Sequence, residues 1–197
     1  MDSGELLTLP YLGHRDYLQG TTLFDALRPR CAGGTDLRFK LGRLMKTDRV
    51  LVEESSAPFA DPARYDATLT WMSGAQSLGL GVVSAQPSAS ARREPFDEDA
   101  IVHRVRFEGN VATLQGQQGE SPVRAVVAVN KALLFRVLTP PRPGQWLFTR
   151  LDLSRDIDGF AKLALRCRSH VGFAAVSSVI EVDQSEIGTV IFSWLKK

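Results

Sequence analysis

With 197 residues, the chain is long enough for one large domain or two small ones, and long enough to bury a real core. A hydrophobic content of 44% with 23% charged residues is that of a soluble globular protein, and no apolar run approaches the length of a membrane span. The net charge of +2 gives no global pull toward nucleic acid or membrane, and Met1-Asp2-Ser3-Gly4-Glu5 lacks the basic start and apolar segment of a secretory signal. The expectation is a cytoplasmic chain in which Cys31 and Cys167 are free thiols.

Leu6 to Tyr17 reads as an extended lead-in, followed by Gly20-Thr21-Thr22-Leu23-Phe24-Asp25-Ala26-Leu27-Arg28-Pro29. In that run Leu23, Phe24 and Leu27 lie at helical spacing, Thr21 or Thr22 supplies a capping hydroxyl, and Pro29 closes the helix. Its free N–H groups and positive dipole end face whatever sits near Gly20, and His14 stands six residues upstream. Seven basic residues (Arg28, Arg30, Arg38, Lys40, Arg43, Lys46, Arg49) follow, against Asp36 and Asp48. They form either one solvated sheet face or a docking surface for phosphate-bearing partners. Few aromatics interleave with them, which argues against nucleic acid. Cys31 lies in a loop with basic neighbours of the kind that lower a thiol pKa, and a bystander thiol is the favoured reading.

Strands are expected at Leu37–Leu41 and Val50–Val52, then a loop over 55–62. A long hairpin covers 65–83, where Leu78, Leu80 and Val82 alternate with small residues. Residues 86–99 have no apolar period and read as a linker. Ile101, His103, Val105 and Phe107 alternate as a strand, making His103 a packed core histidine; Gly109-Asn110 turns the chain into a partner strand at 111–115. Ser121-Pro122 starts a helix of about four turns that ends before Thr139-Pro140-Pro141. Strands follow at 146–153, 160–167, 171–182 and 187–195, and His170 is expected on the surface near a strand end. No Cys/His spacing suggests a metal site, and no Gly-rich lysine loop is present, so neither metal nor cofactor is expected.

The two halves, 1–90 and 91–197, repeat one order of elements: a helix, a Pro/Gly-containing turn, strands, then a long hairpin. One helix wrapped by a long antiparallel sheet, twice over, is an α+β double hot-dog arrangement in one compact pseudo-dimeric domain, which can pair again as a homodimer. A single irregular α+β domain is the alternative.

The motif Gly13-His14, then Gly20-Thr21, then Asp25-Ala26-Leu27, with a closing hairpin at Ile180–Val190, resembles the β-hydroxyacyl-thioester dehydratases, including the dehydratase domains of polyketide synthases. The segment between His14 and Gly20 is shorter than in that family, and Gln19 stands where a proline is usual. The position matched to the acid of the second helix is Asn130, an amide that cannot release a proton as a carboxyl does. The resemblance implies a 3-hydroxyacyl dehydratase- or isomerase-like lyase, acting on thioesters of an acyl carrier protein or coenzyme A. His14 would be the base. Asp25 or Asn130 would hold or protonate the departing hydroxyl; Asp16 is near enough in sequence to orient His14, and reads equally as a turn carboxylate. Gly20, Thr21, Thr22 and Tyr17 would bind substrate, with the amides of the first three receiving the enolate oxygen. A hot-dog thioesterase using Asp25 to activate water, and a non-catalytic acyl-chain or partner-binding module, are the alternatives.

Overall fold

The computed structural model describes residues 4–56, 59–140, 142–171 and 173–196. The surface position expected of His170 lies outside the described side chains. The chain forms two compact units, Met1–Phe96 and Asp97–Lys197. Each is an antiparallel sheet with helix on one face.

In the first unit, β1 (Glu5–Thr8), β4 (Arg49–Ser56), β6 (Gln76–Ser84), β5 (Ala67–Ser73) and β3 (Thr35–Leu41) are neighbours in that order. Buried Phe39, Leu69, Leu80 and Val82 share the inner face, because cross-strand partners point the same way. Helix α1 (Gly20–Leu27) presents buried Leu23, Phe24 and Leu27, as its apolar spacing requires. Phe24 meets Phe39 edge-on, with centroids 5.6 Å apart. Pro29 tightens the next residues into a 3-10 turn at Arg28–Cys31. The helix starts one residue earlier than its threonines suggest. Gln19 occupies the N-cap without a side-chain capping bond, and Thr21 and Thr22 lie inside the first turn.

β4 and β5 both run antiparallel to β6, which lies between them, so the connection after β4 must cross β6. Gly79 and Gly81 explain the Leu-Gly-Leu-Gly alternation. A Cβ on Gly79 would fall 2.8 Å from Phe59 Cζ, and one on Gly81 would fall inside the Tyr65 ring. The two rings pack together at 5.0 Å.

Residues 86–99 are tied down rather than free. Asp48, 0% exposed, accepts hydrogen bonds from Ser88 N (2.9 Å) and Ser88 Oγ, and β7 (Arg93–Glu94) pairs in parallel with β2 (Tyr11–Leu12). Cys31 is buried at the end of the 3-10 turn, its Sγ donating to Arg28 O at 3.1 Å.

In the second unit the order is β8 (Arg106–Glu108), β9 (Val111–Gln115), β11 (Lys162–Val171), β12 (Ala175–Val182), β13 (Ser185–Lys196) and β10 (Gly144–Arg155). The terminal hairpins differ between units: β12, the first arm, lies next to β11, whereas in the first unit the second arm, β6, lies next to β4. Asp183 and Gln184 both take positive φ (50° and 71°), the geometry of a tight two-residue hairpin turn. Asp183 Oδ1 also accepts from Ala161 N (3.0 Å) and Lys162 N (2.7 Å), which accounts for a non-glycine residue there.

Of the strand expected over 101–107 only the end forms, where Arg106 and Phe107 open β8; the start is helical. Asp97 accepts from Ala100 N at 2.9 Å and nucleates α2 (Glu98–Val102), whose first turn carries Glu98 and Asp99. His103 follows it and is exposed, not packed in the core. Helix α3 (Pro122–Val137) begins where Ser121-Pro122 indicates, with Ser121 Oγ accepting from Arg124 N at 3.3 Å. Lys131 Nζ joins α3 to α2 through both oxygens of Glu98, at 3.0 and 3.1 Å.

Candidate functional site

The segment carrying His14 is held by backbone and by one arginine. Gly13, at φ 58°, turns the chain out of β2, and its N–H donates to Glu94 O at 2.9 Å. Arg93 Nη1 donates to Gly13 O (3.1 Å) and Arg15 O (2.7 Å), with its guanidinium 5.7 Å from the Tyr11 ring centroid. The peptides on both sides of His14 are therefore fixed, while its imidazole is exposed in the turn. Asp16 is exposed too.

Beyond the turn the chain re-enters the core. Leu18 N donates to Met45 O at 2.8 Å. The buried Gln19 carboxamide lies between Arg15 and Thr21. In the orientation that satisfies both, its oxygen accepts from Arg15 Nε (2.9 Å) and Nη1 (3.0 Å), and its nitrogen faces Thr21 Oγ1 at 3.5 Å. Arg15 Nη1 also donates to Tyr17 OH at 3.3 Å. Tyr17 and Thr21 are thus brought into one linked group, joined by Arg15 and Gln19, with Gly20 between Gln19 and Thr21 in the chain. Thr22 follows, buried, and its Oγ1 has no hydrogen-bond partner among the described residues. The N–H groups of this first turn have no intrahelical acceptor and carry the positive end of the helix dipole. Asp25, on the same helix, is half-buried.

Asn130 belongs to the second unit. It lies at the middle of α3, on the buried stripe with Val126, Val129, Leu133 and Leu134, and is 0% exposed. Neither Oδ1 nor Nδ2 has a hydrogen-bond partner among the described residues. An amide so placed costs on the order of 1–3 kcal/mol unless something meets it. A core position filled for packing alone would be apolar.

Arg15, Gln19 and Arg93 are the residues a reading of the chain passes over. Their partners are backbone oxygens or a neighbouring amide, and such contacts leave no spacing pattern. No group of His, Cys, Asp and Glu suited to a metal ion occurs among the described residues.

No protein-family profile matches the chain, and no curated protein matches it in sequence. Among solved structures, the bifunctional dehydratase-cyclase domain of ambruticin biosynthesis superposes with a TM-score of 0.52 and 17% identity, over 91% of this chain and 83% of that one. The dehydratase domain of PpsC from Mycobacterium tuberculosis, in complex with C12:1-CoA, gives 0.48 and 10% over 91% and 85%. A Thermobifida fusca protein assigned as a thioesterase II gives 0.49 and 8% over 100% and 94%. The first of these likenesses establishes the fold: the chain has the hot-dog type of fold found in polyketide synthase dehydratase domains.

Proposed function

We propose that this protein acts on acyl thioesters, presented by an acyl carrier protein or by coenzyme A, as a 3-hydroxyacyl dehydratase- or isomerase-like enzyme. The two units are read as the two halves of a double hot-dog. The observation that carries the reading is Asn130: a buried carboxamide at the centre of α3 with both polar atoms unpartnered among the described residues. Such a group is retained when a polar ligand atom completes it. A hydroxyl on a bound acyl chain, donor and acceptor at once, would satisfy both atoms of the amide.

In this reading neutral His14 removes the proton next to the thioester carbonyl. The N–H groups of Gly20, Thr21 and Thr22 stabilise the enolate oxygen, and Tyr17 lies against the bound arm. Asp25, on the same helix as those amides, holds the departing hydroxyl and supplies its proton. An exposed imidazole needs the incoming substrate to exclude water from it. The exposure of His14 therefore favours one second reading, a module that holds the acyl chain without turning it over.

Incubation with 3-hydroxyacyl and enoyl pantetheine thioesters separates the outcomes by mass and by free-thiol assay. Loss or gain of water, or movement of the double bond, supports the enzyme. Saturable binding without product supports the module. Release of free thiol would replace both with hydrolysis.

A further inference from the structure

The inner face of the first unit's sheet is covered unevenly. Helix α1 has only eight residues before the 3-10 turn at Arg28–Cys31, and beyond that turn a cavity of ≈ 780 Å³ opens to solvent. That is the size of a small-molecule site. None of the residues assigned above to thioester chemistry lines it.

Its floor is Trp71, Leu78 and Leu80. Trp71 pairs with Leu78 and Leu69 with Leu80 across β5 and β6, so the indole and both leucines lie on one side of the sheet. Trp71 is 8% exposed, its ring packed against the backbone at Gly34. The rim is charged. Arg30, whose side chain is 24% exposed, pairs with Glu5 and reaches Glu54 Oε1 at 3.7 Å, while the Glu54 side chain is 80% exposed. The third carboxylate of the lining, Glu53, is occupied by Arg64 Nη2 at 2.8 Å and Tyr65 OH at 3.2 Å. Among the described residues, two carboxylates thus share one guanidinium, leaving one negative charge over an aromatic and aliphatic floor.

We propose that this cavity binds a small organic cation, a primary ammonium on an aryl or short alkyl body. The ammonium sits against Glu54 and Glu5, and the body lies on Leu78 and on the part of Trp71 that is exposed. The indole adds cation–π attraction to the charge pairing. An anion is disfavoured, because Arg30 is already engaged and an entering carboxylate would face Glu54.

The test uses the full chain, titrated with benzylammonium, its neutral counterpart benzyl alcohol, and benzoate. Binding is followed at the indole N–H resonance of Trp71, assigned by its loss in W71F. Benzylammonium shifts that resonance saturably, the alcohol binds more weakly, and benzoate has no effect. E54Q, at an exposed position that leaves the fold intact, weakens benzylammonium about fivefold and leaves the alcohol unchanged. Added salt acts as E54Q does. The proposal is overturned if the alcohol binds as tightly as the ammonium, if E54Q has no effect, or if Trp71 responds to none of the probes.

Discussion

Asn130 and Asp48 are both fully buried polar side chains, and they differ in whether the described residues supply them with hydrogen bonds. Burial alone would push the Asp48 carboxyl up. The hydrogen bonds from Ser88 and from its own backbone, with the nearby Arg49 charge, outweigh that and bring it below the ordinary carboxylate range. A carboxyl lowered in the folded state contributes stability that is complete above its unfolded value, about 3.9, and is lost as pH falls through the folded value. D48N is therefore expected to lower stability by about 1–3 kcal/mol at neutral pH, and to flatten the acid limb of a denaturation-midpoint-versus-pH curve. Asn130 has no such partners. N130L removes an orphaned amide and is expected to raise stability by about 1 kcal/mol or more while lowering thioester affinity. N130D places a carboxyl where the resemblance to dehydratases puts an acid, and is expected to speed water loss from a 3-hydroxyacyl thioester about tenfold or more. If N130L were less stable and bound thioester as before, Asn130 would be a packing residue.

At the scale of elements, two features of β6 and α3 can be tested by stability alone. G81A drives a methyl into the Tyr65 ring and should cost about 1–3 kcal/mol in a urea titration, because the ring is held by Phe59 and by Glu53. S121A removes the hydroxyl that accepts from Arg124 N and should cost about 1 kcal/mol. The Ser121 cap was legible in the sequence because Ser-Pro before an apolar run has a single structural use. The strands over 144–155 and 185–196 were legible from their alternation. Over 101–105 a helix end and a turn replace the start of the expected strand, because Asp97 caps α2 through a single bond that leaves no mark on the alternation. The order within 86–99 comes from backbone pairing and from Asp48, which lies 40 residues before Ser88. Long-range polar contacts of that kind are invisible to periodicity. So is the inverted placement of the two terminal hairpins, which depends on what a crossing loop can pack against two glycines.

For the whole molecule, the overall fold carries the hot-dog likeness, and particular residues carry the chemistry. The motif around His14 led to the fold through its resemblance, and the fold likeness reaches a dehydratase-cyclase domain at 17% identity. The amides of Gly20 to Thr22 stand in the first turn of α1 as a reading of the chain expects, but their immediate setting, built from Arg15 and Gln19, was not foreseen. The imidazole itself is exposed, so its role is the point at which the account is most sharply tested. The most direct measurement is the rate of water loss from a 3-hydroxyacyl pantetheine thioester, followed by mass for the native chain and for H14A, with folding of both checked by their denaturation midpoints. The account predicts that the native chain releases water, and that H14A stays folded and is slower by about a hundredfold or more. Equal rates in the two proteins would contradict it.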